Sequence, residues 1–512
     1  MGSITVVSFL APSLRVAAIS QKGEKVLKTI SQGDAQRLRE FFREVGYEDK
    51  NLYEKGYRLQ LPSSRMRNTA RLLDRVREPS LLHLLLRLFL LNAPQDAAAC
   101  ADVIPLWFTE LALSCGLLRR DGEKFTSEVT LFPADGFLAV CDPPARIDAQ
   151  DPEAVLWPNP TTKLLANFTI RCHSRATLDL GTGNAMQAVS AAGHSDQVVA
   201  TDLNPRAVEY AKFTARLNGI ENIECLTGDG FAPVAGRKFD LITSNPPFFI
   251  RPSHAFLFCD NPMDLDQLCR RFVKEAPEHL HEGGYFQLLC EWAVIRGQSM
   301  HERVTEWMQN TGCDAWVIKG HVQDLSEYAQ ELISRTRSSP DGDAELYASY
   351  MEYYRSRNVE AIQDGAIAMR KRSGRNWILI EELSDIPKGP FGESVQEMFR
   401  ARDFLDSHAS EEQMLAAKLR LAPHARLERF FQSTKGRWQP TALNLRLTKG
   451  LPFFIGVQPE VAEFLGACDG NKTLGELVAS FARGVDAPLE KVQSECLGVS
   501  RRLLEHGFLL GD

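Results

Sequence analysis

From about residue 174 to residue 320 the chain keeps one rhythm: a short apolar run, a polar or glycine end, then an amphipathic stretch. The runs are "ATLDL" (176–180), "QVVATDL" (197–203), "IECLTGD" (223–229), "FDLITSN" (239–245), "GYFQLLCEW" (284–292) and "CDAWVIKG" (313–320). Between them the apolar positions recur at helical spacing, near 264–280 and 300–310 for example. Short apolar strands alternating with helices make βαβ units, hence an α/β fold around a parallel sheet. In such a sheet ligands bind beyond the carboxyl ends of the strands. Attention therefore falls on the residues that end each run.

The first run ends in Asp179-Leu-Gly181-Thr182-Gly183-Asn184-Ala185, ahead of a helix. Glycine there lets the backbone turn tightly and lets a ligand approach the main chain, and a helix N-terminus favours a negative group. A plain βα turn would read the same way. The second run ends in Asp202-Leu203, 23 residues after Asp179. A carboxylate so placed can bond ribose hydroxyls, or merely cap the helix that begins at Asn204-Pro205. The third ends in Gly228-Asp229-Gly230, whose carboxylate can accept from an adenine amino group. Three consecutive strand ends of this kind on one sheet edge are a much rarer coincidence than any one of them. The fourth run then stops on Asn245-Pro246-Pro247-Phe248-Phe249.

Together these residues resemble the class I S-adenosylmethionine-dependent methyltransferases, in the "methyltransferase small" branch marked by (N/D)PP(F/Y). That branch includes ribosomal-RNA guanine-N2 and adenine-N6 enzymes and the release-factor glutamine N-methyltransferases. The resemblance covers about residues 152–320, with the motifs in the right order. Upstream, "WPNPTTKLL" (157–165) is similar to the proline-threonine segment that precedes the cofactor loop of the glutamine enzymes. Pro160 and Thr162 match it, while Thr161 and Lys163 replace acids. Ala185 stands where a third glycine is common. The resemblance implies a Rossmann-like seven-stranded methyltransferase sheet and S-adenosylmethionine as cofactor. It implies that Asp202 binds the ribose, Asp229 the adenine, and Gly181 and Gly183 the methionine end. Asp179, Thr182, Asn184, Leu203, Gly230 and Asn245 would complete that site.

The chemistry of Asn245-Pro246-Pro247-Phe248 follows from its groups. An amino group conjugated to a base ring or a carbonyl is a poor nucleophile, because its lone pair is delocalised. The Asn245 side-chain oxygen and the Pro246 carbonyl can each accept one of its N–H groups. That draws the nitrogen toward tetrahedral geometry and aims the lone pair at a methyl donor. The prolines hold the acceptors rigidly, so orientation is prearranged. Phe248 can stack on the planar target, a contact worth about 1–3 kcal/mol for a base. No metal is expected: the 11 cysteines form no CxxC pair, and no His/Cys/Asp cluster is evident.

The expected acceptor is an RNA nucleobase, guanine N2 or adenine N6. Phenylalanine at 248 fits the RNA enzymes better than the glutamine enzymes, which usually carry tyrosine. "SRMRNTARLLDRVR" (64–77) places Arg67, Arg71 and Arg75 on one helical face that could grip phosphates, although a solvated face reads alike. The rival acceptors are a protein glutamine amide or a small amide-bearing metabolite. A reading of another class is an interaction scaffold with an inert methyltransferase domain, which intact Asp202, Asp229 and Asn245 oppose.

The flanks read differently. Residues 1–150 are mostly helical and include a winged-helix-like part at about 79–142, whose hairpin turns at Asp121-Gly122; a plain helical domain with one hairpin fits equally. A proline-rich linker with five prolines, 141–160, leads into the methyltransferase domain, 151–384, which carries an acidic helical insertion near 323–357. There "VEAIQDGAIAMRKR" and "RNWILIEEL" are expected to pair across Ser373-Gly374 as a hairpin closing the sheet. Residues 385–512 end in a winged-helix-like unit, about 455–512, with Thr473 a helix cap and Gly507 a helix stop. Net charge is −7, and residues 151–384 hold 23 basic against 31 acidic residues, which argues against wholesale nucleic-acid wrapping. The unpaired thiols and the lack of a signal-like N-terminus or a long apolar run predict a cytoplasmic protein that does not enter membranes.

Overall fold

The computed structural model describes residues 27–57, 71–252, 256–336, 342–383, 387, 389–484 and 487–511. At its centre is a mixed sheet of eight strands, not the seven expected: the extra one is the strand at 378–382, which adds to the edge of the sheet. The strands are β1 (Ser174–Leu180), β2 (Ser195–Asp202), β3 (Ile223–Thr227), β4 (Phe239–Ser244), β5 (Leu280–Ile295), β6 (Cys313–Asp324), β7 (Val359–Lys371) and β8 (Ile378–Glu382). Their spatial order is β8-β6-β7-β5-β4-β1-β2-β3. β1 to β5 are parallel, with Asp179 opposite both Ala200 and Thr243. Chain order reverses between β1 and β4, so the ends of β1, β2 and β4 open onto one crevice. Leu178, Val198, Val199, Ile242, Phe286 and Leu288 are buried, as strands covered on both faces require. The covering helices include α1 (Pro160–Phe168), α2 (Met186–Ala191), α3 (Pro205–Leu217), α4 (Gln267–Glu275) and α5 (Met300–Met308).

The expected hairpin across Ser373-Gly374 does not form. β7 instead inserts antiparallel between β5 and β6, so that Ile367 faces Leu288 on one side and Val317 on the other. β8 crosses to the far side of β6 and pairs with it in parallel, Val317 opposite Ile380. The reason is burial. Ile367, Ala368 and Met369 are fully enclosed, and a strand so apolar gains ladder bonds on both edges only inside the sheet. A local turn signal cannot outweigh that.

The N-terminal part packs helices Gln32–Val45 and Leu106–Cys115 against a hairpin, Leu118–Asp121 with Lys124–Ser127, that turns where Asp121-Gly122 predicts. Of the 64–77 segment, residues 71–75 are helical; Arg67 lies outside the described residues. The proline-rich stretch 141–160 is a packed strut, not a tether. Asp142 is fully buried, accepts from Tyr210 Oη of α3 at 2.7 Å and from Val155 N at 2.8 Å, and lies beside Arg146 and Arg206.

The helical insertion comprises α6 (Leu325–Thr336) and α7 (Asp343–Ser356), which pack together over the end of β7. After β8, α8 (Gly392–Ser407) lies on the sheet helices, with Phe391, Val395 and Phe399 in one cluster with Phe168, Ile170 and Trp316. The contact is close. A Cβ on Gly392 would stand 1.9 Å from the Thr169 carbonyl oxygen. The C-terminal part adds β9 (Lys418–Leu421), a long hairpin of β10 (Ala425–Thr434) and β11 (Arg437–Leu447), and β12 (Phe454–Gly456). Three helices and a last strand, Leu509–Gly511, follow as expected. Thr473 caps the middle helix by accepting from Glu476 N, and Gly507 ends the last at φ 72°. Among the described residues no helix is long and apolar enough to cross a membrane.

Candidate active site

The loop after β1 takes its shape from backbone sterics. Gly181 and Gly183 have φ of 77° and 52°, and a Cβ on either would meet nothing within 4 Å. Glycine is needed there for conformation, and the loop faces open space rather than packed atoms. Ala185, where a third glycine is common, holds φ 68° with its methyl buried, a conformation that disfavours a side chain. Asp179 lies beneath the loop, 1% exposed. Its Oδ2 accepts from Thr182 Oγ1 at 2.6 Å and Ala188 N at 3.0 Å, and burial pushes its pKa up to about 7. It props the loop from below. Asn184 spans to the strut, donating from Nδ2 to Leu156 O at 2.9 Å.

Asp202 does not cap the next helix. Asn204 does, accepting from Arg206 N with Pro205 at the first helical position. Asp202 accepts instead from Gly183 N and Asn204 N, both at 2.8 Å, and stays half-buried. A carboxylate offers about four acceptor sites, so two remain for hydroxyl groups. Burial raises its pKa, opposed by the two backbone donors. Leu203 beside it is 42% exposed, an apolar surface left open at the crevice. Asp229 is exposed and faces Arg271 of α4, whose Nη1 reaches both carboxylate oxygens at 3.1 and 3.0 Å. Gly230, at φ 52°, leaves room for that guanidinium: a Cβ there would lie 3.1 Å from Arg271 Nη2.

Asn245 is half-buried at the end of β4, and its orientation is fixed by a hydrogen-bond count. Thr161 Oγ1 donates to Asn159 Oδ1 at 2.7 Å. Asn159 in turn caps α1 in a reciprocal pair with Thr162. Having spent its one hydrogen, Thr161 can only accept, and it takes the Asn245 Nδ2 donor at 3.2 Å. The amide nitrogen is thereby turned toward α1, and Oδ1 remains as an acceptor. Next along the chain, Pro247 O accepts from Asn261 Nδ2 at 2.8 Å. Phe248 and Phe249 meet edge to face, centroids 5.5 Å apart, both half-buried.

The insertion pins this segment from behind. Ile250 N donates to Tyr328 Oη at 3.0 Å, and Tyr354 Oη donates to Ile250 O at 2.8 Å. Tyr328 donates its own hydroxyl hydrogen bond to Glu291 of β5, whose pKa burial pushes up to about 8. Tyr353 Oη donates to Asp264 at 3.0 Å and accepts from Leu265 N at 3.1 Å. The structure therefore brings Gly181, Gly183, Asp202, Leu203 and Asn245 to one crevice, with Asp229 at the next strand end. Arg71 is exposed, and Arg75 donates to Gly56 O at 2.9 Å within the N-terminal part. Sequence reasoning missed Asn159 and Thr161, Asn261, Arg271 and the insertion's tyrosines. Only the spacing of Tyr347, Tyr350, Tyr353 and Tyr354 on one helix could have signalled the last.

A sheet whose first five strands are parallel, with a glycine loop after the first, a carboxylate after the second and Asn-Pro-Pro-Phe after the fourth, defines a nucleoside-cofactor transferase class. Residues 159–312 match the family described as "Methyltransferase small domain", and residues 396–511 match a "Domain of unknown function (DUF7782)". The chain carries a methyltransferase small domain, of the S-adenosylmethionine-dependent class. It is 29% identical over 231 residues to a release factor glutamine methyltransferase of Geobacter sulfurreducens, covering 42% of this chain and 76% of that one. It is 34% identical over 194 residues to the Aquifex aeolicus protein of the same name, 36% of this chain and 60% of that one. A Methanocaldococcus jannaschii protein provisionally named a protein N5-glutamine methyltransferase is 32% identical over 133 residues, 25% of this chain and 66% of its own length.

The residues present fit the cofactor. The open space over Gly181 and Gly183, the spare acceptor sites of Asp202 and the exposed Leu203 suit an amino-acid end, a ribose and an apolar ring in sequence along the edge.

Proposed function

We propose that this protein methylates the exocyclic amino nitrogen of an RNA nucleobase, guanine N2 or adenine N6, using S-adenosylmethionine. When bound, the cofactor supplies an electrophilic methyl group on a sulfonium. Gly181, Thr182, Gly183 and Asn184 hold its methionine end, with Asp179 supporting them from below. Asp202 and Leu203 hold the ribose side, and Asp229 with Gly230 the adenine. Asn245 Oδ1 and the Pro246 carbonyl accept the two N–H groups of the target, and Pro247 fixes their geometry. Phe248 receives the planar face, and Phe249 walls the pocket.

The observation that carries N-methylation of a planar amino group is the Thr161–Asn245 contact, which leaves Asn245 presenting an acceptor and not a donor. An acceptor is what a planar NH₂ group requires. The choice of an RNA base over a glutamine amide rests on phenylalanine at 248. A second reading, transfer to a protein glutamine amide, is favoured by the names of the relatives above. The two share the same catalytic geometry and differ in what lies against Phe248. We also assign residues 1–150 and 385–512 as flanking domains packed against a methyltransferase domain at 151–384.

The test is incubation with methyl-labelled cofactor and extract from a strain lacking the protein, followed by ribonuclease or protease. Label that is lost to ribonuclease supports the RNA reading. Label that survives ribonuclease and is released by protease overturns it in favour of the glutamine reading.

A further inference from the structure

The β10–β11 hairpin takes no part in the crevice described above. Its strands pair from Ala425↔Leu447 to Thr434↔Arg437 and are joined by Lys435-Gly436, both at positive φ (52° and 74°). Such a two-residue turn matches the twist of the strands it joins. Only the root is packed: Leu445 and Leu447 are buried, and β12 pairs with Asn444, Leu445 and Arg446. From Arg429 to Ala442 every side chain is exposed.

Three of those side chains are large aromatics. Phe430 is 45% exposed, Phe431 52% and Trp438 74%. Trp438 is the one exposed residue among the chain's seven tryptophans. Alternation along β10 puts Arg429 and Phe431 on one face, and Ser433↔Trp438 pairing puts Trp438 there too. Arg429 lies over the Phe431 ring, 5.8 Å from its centroid. Phe430 points to the opposite face, so rings stand on both sides of the ribbon.

Charge accompanies the rings. Residues 425–447 hold Arg426, Arg429, Lys435, Arg437 and Arg446 against the single acid Glu428, in a chain of net charge −7. Glu428 is itself partnered by Arg446 at 3.4 Å. A polyanion with exposed planar rings fits both features at once. An acidic peptide would use the cations and leave the aromatics in water. An apolar protein face would do the reverse. Duplex RNA keeps its bases stacked, so rings offered to bases select single strands.

We propose that the β10–β11 hairpin is a binding arm for single-stranded RNA, its Arg and Lys residues on phosphates and its Phe and Trp rings under bases. This rests on the RNA reading of the acceptor. The arm's exit, Leu451 and Phe453, packs in the cluster that holds Leu164, Leu165 and Phe248. A strand held on the arm is therefore anchored to the wall of the crevice.

The test uses the full chain without cofactor and a fluorescein-labelled oligouridylate of about 16 nucleotides, the upper site size for a single-strand groove. Wild-type protein binds it, with affinity that falls as salt rises. Phe431→Ala and Trp438→Ala each weaken binding about 5- to 150-fold, the equivalent of one lost base stack. Arg429→Ala and Arg437→Ala each reduce the salt slope by about 0.7, one phosphate contact on a single strand. Melting temperature and S-adenosylmethionine affinity stay at wild-type values in all four, since the residues are exposed and outside the crevice. No binding by wild type, or equal binding by the variants, overturns the arm, as does crosslinking that places a polypeptide on Trp438. Hairpin-dependent oligonucleotide binding by a protein whose methylated product is a polypeptide would overturn the RNA acceptor and leave the arm standing.

Discussion

Thr161 accepts the side-chain amide of Asn245 at 3.2 Å, so a residue 84 positions upstream decides which end of that amide faces the crevice. The polarity of the site thus depends on the cap of α1. Asn159 orients Thr161, and Thr161 orients Asn245.

Replacing Thr161 by valine keeps the shape and removes the hydroxyl. Asn245 then loses its partner, and the acceptor is no longer held toward the target. Steady-state kinetics should show kcat down about tenfold, the scale of one net hydrogen bond. Cofactor affinity should not change, and Thr161→Ser should restore the rate. A fall in cofactor affinity instead would mean that Thr161 shapes the glycine loop.

Asp202→Ala should act in the opposite sense. The carboxylate holds Gly183 N and, in the proposed role, the ribose hydroxyls. Calorimetry should give S-adenosylmethionine binding weakened roughly 100-fold, from hydrogen bonds to a charged group worth about 1.5–3 kcal/mol. Asp202→Asn should fall between. Unchanged affinity would remove Asp202 from the cofactor site.

Glu291 carries a pH dependence. Its pKa is raised by burial to about 8 in the folded chain, against an ordinary value of 4.5. The folded state therefore retains a proton that the unfolded state releases, and stability falls as pH rises from 4.5 to about 8. Glu291→Gln keeps an acceptor for Tyr328 and cannot ionise. Denaturation at several pH values should show this variant gaining on wild type across that window, by at most about 1.4 kcal/mol for each step of one in pH. Below pH 4.5 the two should converge. A difference that does not vary with pH would show that Glu291 is ionised throughout.

Gly392 tests the docking of the C-terminal part. With the Thr169 carbonyl 1.9 Å from where its Cβ would be, Gly392→Ala must displace the start of α8. The cost expected of overpacking is about 1–3 kcal/mol, read as a lower melting temperature. A variant that melts like wild type would show that α8 shifts freely.

Much of the crevice was legible because an open α/β sheet concentrates ligand residues at its strand ends, where short motifs stand out. Gly181, Asp202 and Asn245 were found that way, and the structure places them together. The position of β7 was not legible. Ser373-Gly374 is a local turn signal, whereas the insertion of Ile367 between Leu288 and Val317 depends on partners far along the chain. Prolines made residues 141–160 look like a tether, although the buried Asp142 ties them to Tyr210. Thr161 was seen only as a departure from acids, because its contact is purely tertiary. The β10–β11 hairpin did leave a readable sign, Lys435-Gly436 between two strand-like runs, that sequence reasoning passed over.

The most direct test of the account is a paired measurement on Asn245→Ala: methyl transfer from labelled cofactor to extract, and S-adenosylmethionine affinity of the same sample. Loss of a preorganised polar group acting in the transition state should lower transfer about 100-fold or more, with cofactor affinity near wild type. Transfer that persists, or that falls only in step with cofactor affinity, would contradict the claim that Asn245 prepares a planar nitrogen for methylation.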